Sequence, residues 1–192
     1  MAETPSTMLP LGTPLPAFTL QDAVSGRAVT QDDVTGDEGL LVMFLCNHCP
    51  FVKHVLPELR RLAADAAGRG VGIVAINAND TERYPDDAPP RMKELAEREG
   101  WDFPFLLDAS QEIAKTFRAA CTPDFFLFDA DRRLAYRGRL DETRPGRGEP
   151  HGADLRAALD AVTAGDPVPE PQQPSVGCNI KWKPGNEPDY FG

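Results

Sequence analysis

The chain of 192 residues has 41% hydrophobic and 26% charged residues, an ordinary balance for one globular domain with some additional segments. Its formal net charge of −10 disfavours nucleic acid and anionic membrane surfaces as partners, because phosphate binding needs clustered Lys and Arg. The amino-terminal residues lack a basic region and an unbroken apolar run, and no apolar stretch approaches the roughly 20 residues that cross a bilayer. We therefore expect a cytoplasmic protein without a signal peptide or a membrane segment.

The first third of the chain predicts a β-hairpin and then a central strand. Residues 1–16 are rich in proline and threonine and are expected to form an irregular lead-in. The short stretches Ala17–Leu20 and Arg27–Thr30 flank a turn at Ser25–Gly26, which indicates the hairpin. The run Leu40–Leu45 is apolar throughout and too short for a helix, as expected for a strand that is buried on both faces.

A β-α-β unit follows this strand. Apolar residues recur at three- and four-residue spacing from Val52 to Ala66, the period of an amphipathic helix, with a kink expected at Pro57. A second buried strand is expected over Val71–Ile76, parallel to the first one. A polar loop then leaves the carboxyl end of that strand, where sites in open α/β sheets collect. The loop residues expected to border a site are Asn77, Asn79, Asp80 and Tyr84.

The second half of the chain predicts two short helices, a β-hairpin and a last helix. The short helices are expected at residues 91–99 and after Asp108, whose side chain is expected to form a capping box with Gln111. The remaining elements are the strands Asp124–Asp129 and Leu134–Leu140 and the helix at about residues 153–164. The fold class is therefore α/β, with a mixed central sheet flanked by helices.

Residues 166–192 are expected to form a Pro-rich linker and a C-terminal tail beside a domain of residues 1–165. The linker contains four prolines between Asp166 and Pro174. The tail carries apolar side chains of a kind that disordered segments lack: Val176, Ile180, Trp182, Tyr190 and Phe191. We expect it to dock on the domain, with Cys178 as a packing residue or as an additional thiol that reaches the active site.

The dithiol Cys46–Asn47–His48–Cys49 is the feature that carries chemistry. It lies where a strand ends and a helix begins, so that the unpaired N–H groups and partial positive charge of the helix terminus stabilise a thiolate. In a reducing compartment a Cys-x-x-Cys pair is more often catalytic or metal-binding than structural. We expect Cys46 to attack, with a lowered pKa, and Cys49 to resolve the mixed disulfide.

The residues between the two cysteines leave alternatives open. A protonated His48 stabilises the Cys46 thiolate and makes the couple more oxidising, whereas a solvent-exposed imidazole has little effect. A structural zinc site needs four ligands, and the chain has no second Cys-x-x-Cys and no His-x-x-x-His, so no metal is expected. Two inert buried thiols are the other alternative, although Asn47 and His48 make a poor core sequence.

The dipeptide Thr122–Pro123 is the second candidate element, because it precedes a predicted strand. A cis peptide bond there presents the Thr122 backbone beside the dithiol for pairing with an extended substrate. The alternative is a trans proline that opens an edge strand. Cys121 then lies near the site, either as a small buried side chain or as an additional thiol.

Several stretches of the chain resemble the thioredoxin-like redoxins, the branch related to the peroxiredoxin (AhpC/TSA) group. These stretches are LVMFLCNHCPFVKHV, VAINAND followed by YPDDAP, TPDFFLFD, LAYRGRLD and GCNIKWKPGN, and they span nearly all of residues 15–186. The resemblance implies the thioredoxin fold, a redox-active pair at Cys46 and Cys49, and a cis bond before Pro123.

The chain departs from two related groups near the dithiol. Thioredoxins proper usually have a Trp before the first cysteine and a buried acid in the preceding strand, whereas here Leu45 precedes Cys46 and Leu40–Leu45 contains no acid. The general base for the resolving thiol is therefore unassigned. Peroxiredoxins usually have Thr or Ser three residues before the peroxidatic cysteine. If Cys49 is aligned with the peroxidatic cysteine, Cys46 replaces that Thr. The Arg that normally polarises the peroxide also lacks a clear counterpart in this chain.

The sequence therefore predicts a thiol–disulfide oxidoreductase that exchanges a Cys46–Cys49 dithiol with protein or small-molecule disulfides. It is expected to need no cofactor and to use an unidentified thiol reductant as a partner. A peroxiredoxin-like thiol peroxidase with an antioxidant role is the second hypothesis. A zinc-stabilised, non-enzymatic interaction domain is the third.

Overall fold

The computed structural model describes residues 3–191 and contains ten strands and five α-helices. The strands are β1 (Glu3–Pro5), β2 (Thr19–Asp22), β3 (Ala28–Thr30), β4 (Gly39–Phe44), β5 (Val71–Asn77), β6 (Phe105–Leu107), β7 (Cys121–Thr122), β8 (Asp124–Phe128), β9 (Leu134–Gly138) and β10 (Val176–Asn179). The helices are α1 (Gln31–Val34), α2 (Pro50–Gly68), α3 (Pro89–Glu99), α4 (Glu112–Thr116) and α5 (Ala153–Ala164), with a 3₁₀ turn at Pro85–Asp87.

A seven-stranded mixed sheet forms the centre, with the strand order β3-β2-β6-β5-β4-β8-β9. β4 and β5 are parallel, as are β5 and β6, whereas β8 runs antiparallel to β4 and β9 antiparallel to β8. All six residues of β4 are buried, as expected for a run that is apolar on both faces. The predicted mixed α/β architecture, with the hairpin of β2 and β3 at one edge, is confirmed.

The sheet separates two apolar layers, and the dithiol belongs to the layer that contains α2. Alternate residues of β4 point to opposite sides, so that Leu41 and Met43 join the α2 layer while Val42 and Phe44 join the other. A fully buried leucine contributes roughly 1.5–3 kcal/mol, and α2 buries several such side chains. This packing fixes the start of α2 against the end of β4. No helix within residues 3–191 is long and apolar enough to span a membrane.

A second, three-stranded sheet joins the two ends of the chain to the domain, in the order β1-β10-β7. β10 pairs antiparallel with both neighbours, and its Cys178 lies opposite Thr122 of β7. Beyond β10, Ile180 and Trp182 are buried in the apolar layer that faces away from α2. The expectation of an irregular lead-in over residues 1–16 is wrong for Glu3–Pro5, because β10 offers these residues an edge to pair with.

The predicted capping box at Asp108 and Gln111 is also wrong. The side-chain amide of Gln111 donates to the carbonyl oxygens of Ala78 and Lys181, at 2.7 and 3.0 Å, and α4 begins after it. Asp108 instead accepts a hydrogen bond from the Ala114 N–H at 2.8 Å. The Gln111 side chain, which the local sequence predicts to be part of a helix cap, therefore binds the C-terminal tail instead.

β10 approaches β7 so closely that a side chain at position 177 has no space. A Cβ on Gly177 would lie 2.0 Å from the carbonyl oxygen of Thr122. We expect Gly177→Ala to push β10 away and to lower the free energy of unfolding in urea by about 1–3 kcal/mol, the usual cost of overpacking. Gly68→Ala is the matched control, because nothing lies within 4 Å of a Cβ there. Equal losses in both variants would contradict the close approach.

Candidate functional site

The segment Cys46–Cys49 connects β4 to α2, as the sequence predicts. Cys49 is the residue that caps the amino terminus of α2, and Pro50 is the first helical residue. None of the four cysteines is in a disulfide, and Cys46 and Cys49 are 1% and 0% exposed. The pair is therefore a preformed dithiol enclosed by the protein.

Thr122 contacts both sulfur atoms of the dithiol. Its hydroxyl oxygen lies 3.3 Å from Cys46 Sγ, and its carbonyl oxygen lies 3.2 Å from Cys49 Sγ. The peptide bond between Thr122 and Pro123 is cis, as expected. The backbone edge of Thr122, however, pairs with β10 of the same chain, in the place where sequence reasoning put an extended substrate.

A buried carboxylate that sequence reasoning missed organises the dithiol loop. Asp87 Oδ1 accepts hydrogen bonds from the backbone N–H groups of Asn47 and His48, at 2.8 and 3.3 Å. Its Oδ2 lies 2.6 Å from His48 Nδ1 and accepts a second bond, at 2.8 Å, from the Asn79 side chain. Asp87 lies in the stretch YPDDAP. The family resemblance includes this stretch, but it assigns no role to Asp87.

The other loop residues expected to border the site divide into two groups. Asn77 donates to the Asp87 carbonyl oxygen at 2.8 Å, and the Tyr84 ring stacks on His48 with 5.7 Å between centroids. Asp80 does not contact the dithiol loop: its carboxylate accepts the Glu82 N–H at 3.2 Å and closes a turn.

His48 forms an ion pair with Asp87 and is not a free, solvent-exposed imidazole. The hydrogen bond to Asp87 raises the pKa of His48, although burial opposes this effect. Burial alone would raise the pKa of Asp87, but the hydrogen bonds from His48 and Asn79 hold it below its ordinary value. The negative charge of Asp87 contributes to a raised pKa of Cys46, so the lowered Cys46 pKa expected from the sequence is wrong.

Of the two dithiol sulfurs, the one with the lowered pKa is Cys49, whereas the sequence predicts a lowered pKa for Cys46. The Cys49 sulfur receives hydrogen bonds from the thiols of Cys46 and Cys178 and from the Val52 backbone N–H. These donors outweigh burial, and they lower the Cys49 pKa to about 5. The pKa of Cys46 is raised well above that of an ordinary thiol, because its thiol donates to Cys49, is buried, and lies near the negative charge of Asp87.

The two remaining cysteines lie beside Thr122 on different strands. Cys121 is buried, its Sγ lies 3.7 Å from the Pro123 carbonyl oxygen, and burial raises its pKa well above the ordinary value. Cys178 is also buried, and both its burial and its hydrogen bond to Cys49 raise its pKa, to about 12. Of the two, Cys178 is the one whose thiol donates to the dithiol.

A second buried acid, Asp124, follows the cis bond directly. Burial raises the pKa of its carboxyl group well above the ordinary value. Asp124 lies opposite Phe44 in the β4–β8 ladder, and the Phe44 side chain belongs to the apolar layer away from the dithiol. Asp87, rather than Asp124, is therefore the acid in contact with the dithiol loop.

Three groups of the site match metal ligands in type: Cys46 Sγ, a ring nitrogen of His48 and a carboxylate oxygen of Asp87 all lie within 4.8 Å of one another. A zinc ion bound by nitrogen and oxygen at about 2.0–2.2 Å in tetrahedral geometry would hold those two atoms more than about 3 Å apart. The observed 2.6 Å between His48 Nδ1 and Asp87 Oδ2 is a hydrogen-bond distance. The arrangement therefore fits an ion pair better than a metal centre.

A cleft of about 410 Å³ opens beside the dithiol loop on the side of His48. The residues that line it are His48, Arg83, Tyr84, Pro85, Asp86 and Lys181. Since the Cys46 sulfur lies within 4.8 Å of a His48 ring nitrogen, Cys46 is next to a residue that borders this cleft.

Comparison with known proteins places the chain in a family. The model of the Redoxin family matches residues 10–155, and the chain belongs to this family. Its fold is the thioredoxin fold, which it shares with solved thiol–disulfide oxidoreductases that are less than 25% identical to it. An uncharacterized conserved protein from Geobacillus kaustophilus is much more similar: its crystal structure is 53% identical with a TM-score of 0.94, over 96% of this chain and 98% of that one.

Two kinds of named relatives are thiol–disulfide oxidoreductases. The thiol:disulfide interchange protein DsbE of Pseudomonas fluorescens biotype C is 33% identical over 148 residues, 73% of each chain. The thiol-disulfide oxidoreductase ResA of Bacillus anthracis is 25% identical over 124 residues. That match covers 65% of this chain and 66% of ResA. The relatives therefore support the class of thiol–disulfide oxidoreductases and do not identify a substrate.

The His48–Asp87 ion pair generates a test that depends on pH. We expect Asp87→Asn to lower the pKa of His48, because a neutral amide stabilises the imidazolium less than a carboxylate does. A histidine pKa that is raised in the folded state stabilises the fold. This stabilisation is fully present at pH values below the ordinary histidine pKa of about 6.5, and it is lost as pH rises through the raised pKa of His48. The loss of unfolding free energy in Asp87→Asn should therefore be larger at about pH 5 than at about pH 8.

NMR titration of the His48 ring and urea denaturation at the two pH values measure these effects. Asp86→Asn is the matched control, since Asp86 is an exposed neighbour with no bond to the imidazole. An unchanged His48 pKa in Asp87→Asn would show that the ion pair does not hold the imidazolium.

Proposed function

We propose that this chain exchanges the Cys46–Cys49 dithiol and disulfide with disulfides of proteins or small molecules. The observation that carries the proposal is the contact of one residue with both sulfurs at the start of α2: the Thr122 hydroxyl lies 3.3 Å from Cys46 Sγ and its carbonyl oxygen lies 3.2 Å from Cys49 Sγ. Two sulfur atoms in this contact can form a disulfide with little movement of the backbone. The family and its named relatives support the same class of reaction.

The positions of the two sulfurs favour Cys46 as the attacking thiol. Cys46 is next to a residue that borders the cleft, whereas Cys49 is hydrogen-bonded to Cys178 of the buried strand β10. The Cys49 thiolate accepts the Cys46 hydrogen bond, so it is the base that takes the proton as Cys46 attacks. The low pKa of Cys49 and the raised pKa of Cys46 thus belong to the pair, because the two sulfur atoms share one proton.

The proposed reaction balances in two steps. Cys46 attacks a substrate disulfide and passes its proton to Cys49; a Cys46–substrate disulfide forms and the first substrate thiolate leaves. Cys49 then attacks Cys46 and gives its proton to the departing second substrate thiol, which leaves the Cys46–Cys49 disulfide. The substrate disulfide is reduced to two thiols, and an external thiol reductant restores the dithiol.

A peroxidase reaction has less support from the site. Peroxidatic cysteines of the related group use an arginine to polarise the peroxide. Among residues 3–191 no arginine side chain donates a hydrogen bond to either dithiol sulfur, and Arg83 lines the cleft on the side of His48 instead. The disulfide reaction is therefore the one that the geometry favours.

Single cysteine variants test the proposal. We expect Cys46→Ser and Cys49→Ser to reduce the rate of protein-disulfide reduction by dithiothreitol to that of the reaction without protein. Cys49→Ser should in addition accumulate a mixed disulfide on Cys46, identified by peptide mapping, because the resolving thiol is missing.

Cys121→Ala is the matched control, as it removes a buried thiol beside Thr122 that is not bonded to the dithiol, and it should keep its activity. Undiminished activity in Cys46→Ser would rule out the proposed exchange.

A further inference from the structure

β10 places a third cysteine against the dithiol. Cys178 lies directly opposite Thr122 in the β7–β10 ladder, where Cα atoms of partner residues are about 4.5–5.5 Å apart. The Thr122 carbonyl oxygen is itself 3.2 Å from Cys49 Sγ. Cys178 is 2% exposed, belongs to the same apolar layer as Cys46 and Cys49, and its thiol donates to the Cys49 sulfur. The Cys49 sulfur therefore interacts with two thiols, those of Cys46 and Cys178.

We propose that Cys178 is a third redox thiol of this site, which exchanges with the Cys46–Cys49 disulfide to form a Cys49–Cys178 disulfide. The proposal rests on the proposed function, because reduction of a substrate supplies the Cys46–Cys49 disulfide. It assigns to β10 a chemical role beside that of a packed strand.

The exchange needs no further oxidant. The Cys178 thiol loses its proton and attacks Cys49 Sγ; the Cys46–Cys49 bond breaks as the Cys49–Cys178 bond forms. Cys46 leaves as a thiolate and takes up a proton. One disulfide and one thiol are present before and after the step, so no electrons enter or leave the protein. The step returns Cys46, which is next to a residue that borders the cleft, to its reduced form.

The state of Cys49 controls the reactivity of Cys178. In the reduced site, burial, the hydrogen bond to Cys49 and the negative charge of Cys49 all raise the pKa of Cys178. When Cys49 enters a disulfide, it loses its negative charge and becomes a weaker hydrogen-bond acceptor. Burial then remains as the main effect that raises the pKa of Cys178. Cys178 is thus kept protonated while Cys49 is a thiolate and becomes a better nucleophile when Cys49 enters a disulfide.

The strand holds Cys178 in place for this reaction. Gly177 has no Cβ and so permits β10 to lie against the Thr122 carbonyl oxygen. A thiol held in contact with its target has an effective concentration far above the millimolar range of free thiols. Cys121, on the neighbouring strand β7, lies against the Pro123 carbonyl oxygen instead and serves as the contrast.

Disulfide mapping of the full chain tests the proposal. The Cys46→Ser variant is treated with diamide, a small oxidant of thiol pairs, then quenched in acid, alkylated and digested without reductant. We expect a Cys49–Cys178 peptide as the main product. The same peptide should form in Cys46→Ser/Cys121→Ser and be absent from Cys46→Ser/Cys178→Ser.

Recovery of Cys49 and Cys178 as alkylated thiols after diamide treatment, or a link from Cys49 to Cys121 instead, would overturn the proposal. Wild-type protein, oxidised with a substrate disulfide and sampled over time, provides a second measurement that does not depend on the variant's folding. There the Cys49–Cys178 peptide should follow the Cys46–Cys49 peptide. A Cys46–Cys49 peptide that is never followed by the second one would overturn the role of Cys178 alone, whereas no Cys46–Cys49 peptide would refute the proposed function.

Discussion

The position of Thr122 is the constraint on which the arrangement of the thiols depends. Its hydroxyl contacts Cys46, its carbonyl oxygen contacts Cys49, and its register partner on β10 is Cys178. The residue is held on one side by the pairing of β8 with the central strand β4 and on the other by the pairing of β7 with β10. The Cys46–Cys49 pair and the distant Cys178 are thereby brought to one backbone segment, and their chemistry follows from that segment's place in the two sheets.

Charge at the site is set by direct hydrogen bonds more than by the helix terminus. A helix dipole contributes about 0.3–1 kcal/mol at its end, which is less than one pKa unit at about 1.4 kcal/mol per unit. The lowering of the Cys49 pKa to about 5 therefore needs the Cys46 and Cys178 thiols as donors. Asp87 acts on the opposite side of the loop: it fixes the backbone of Asn47 and His48 and, being negative, disfavours a second thiolate on Cys46. Of the two dithiol sulfurs, these interactions together favour the negative charge on Cys49.

The sequence was informative where a pattern is local and strong. The apolar run of β4, the helical period of α2 and the Cys-x-x-Cys spacing predicted the strand–helix junction that carries the dithiol, and the family resemblance implied the cis bond before Pro123. Two kinds of feature were missed. Asp87 is an ordinary acid in a polar loop, and only the folding of that loop over the end of β5 brings it to His48. The low pKa predicted for Cys46 rested on the helix terminus and His48. It is wrong because the Cys178 thiol and the Asp87 carboxylate, which come from distant parts of the chain, complete the site.

Titration of the thiolate absorbance against pH tests the account most directly. The wild-type protein should gain a thiolate with a pKa of about 5, and this transition should be absent from Cys49→Ser. Cys46→Ser should retain a low value, because a serine hydroxyl still donates to the Cys49 sulfur, whereas Cys46→Ala should raise it. A low-pKa transition that persists in Cys49→Ser and disappears in Cys46→Ser would contradict the assignment of the thiolate to Cys49.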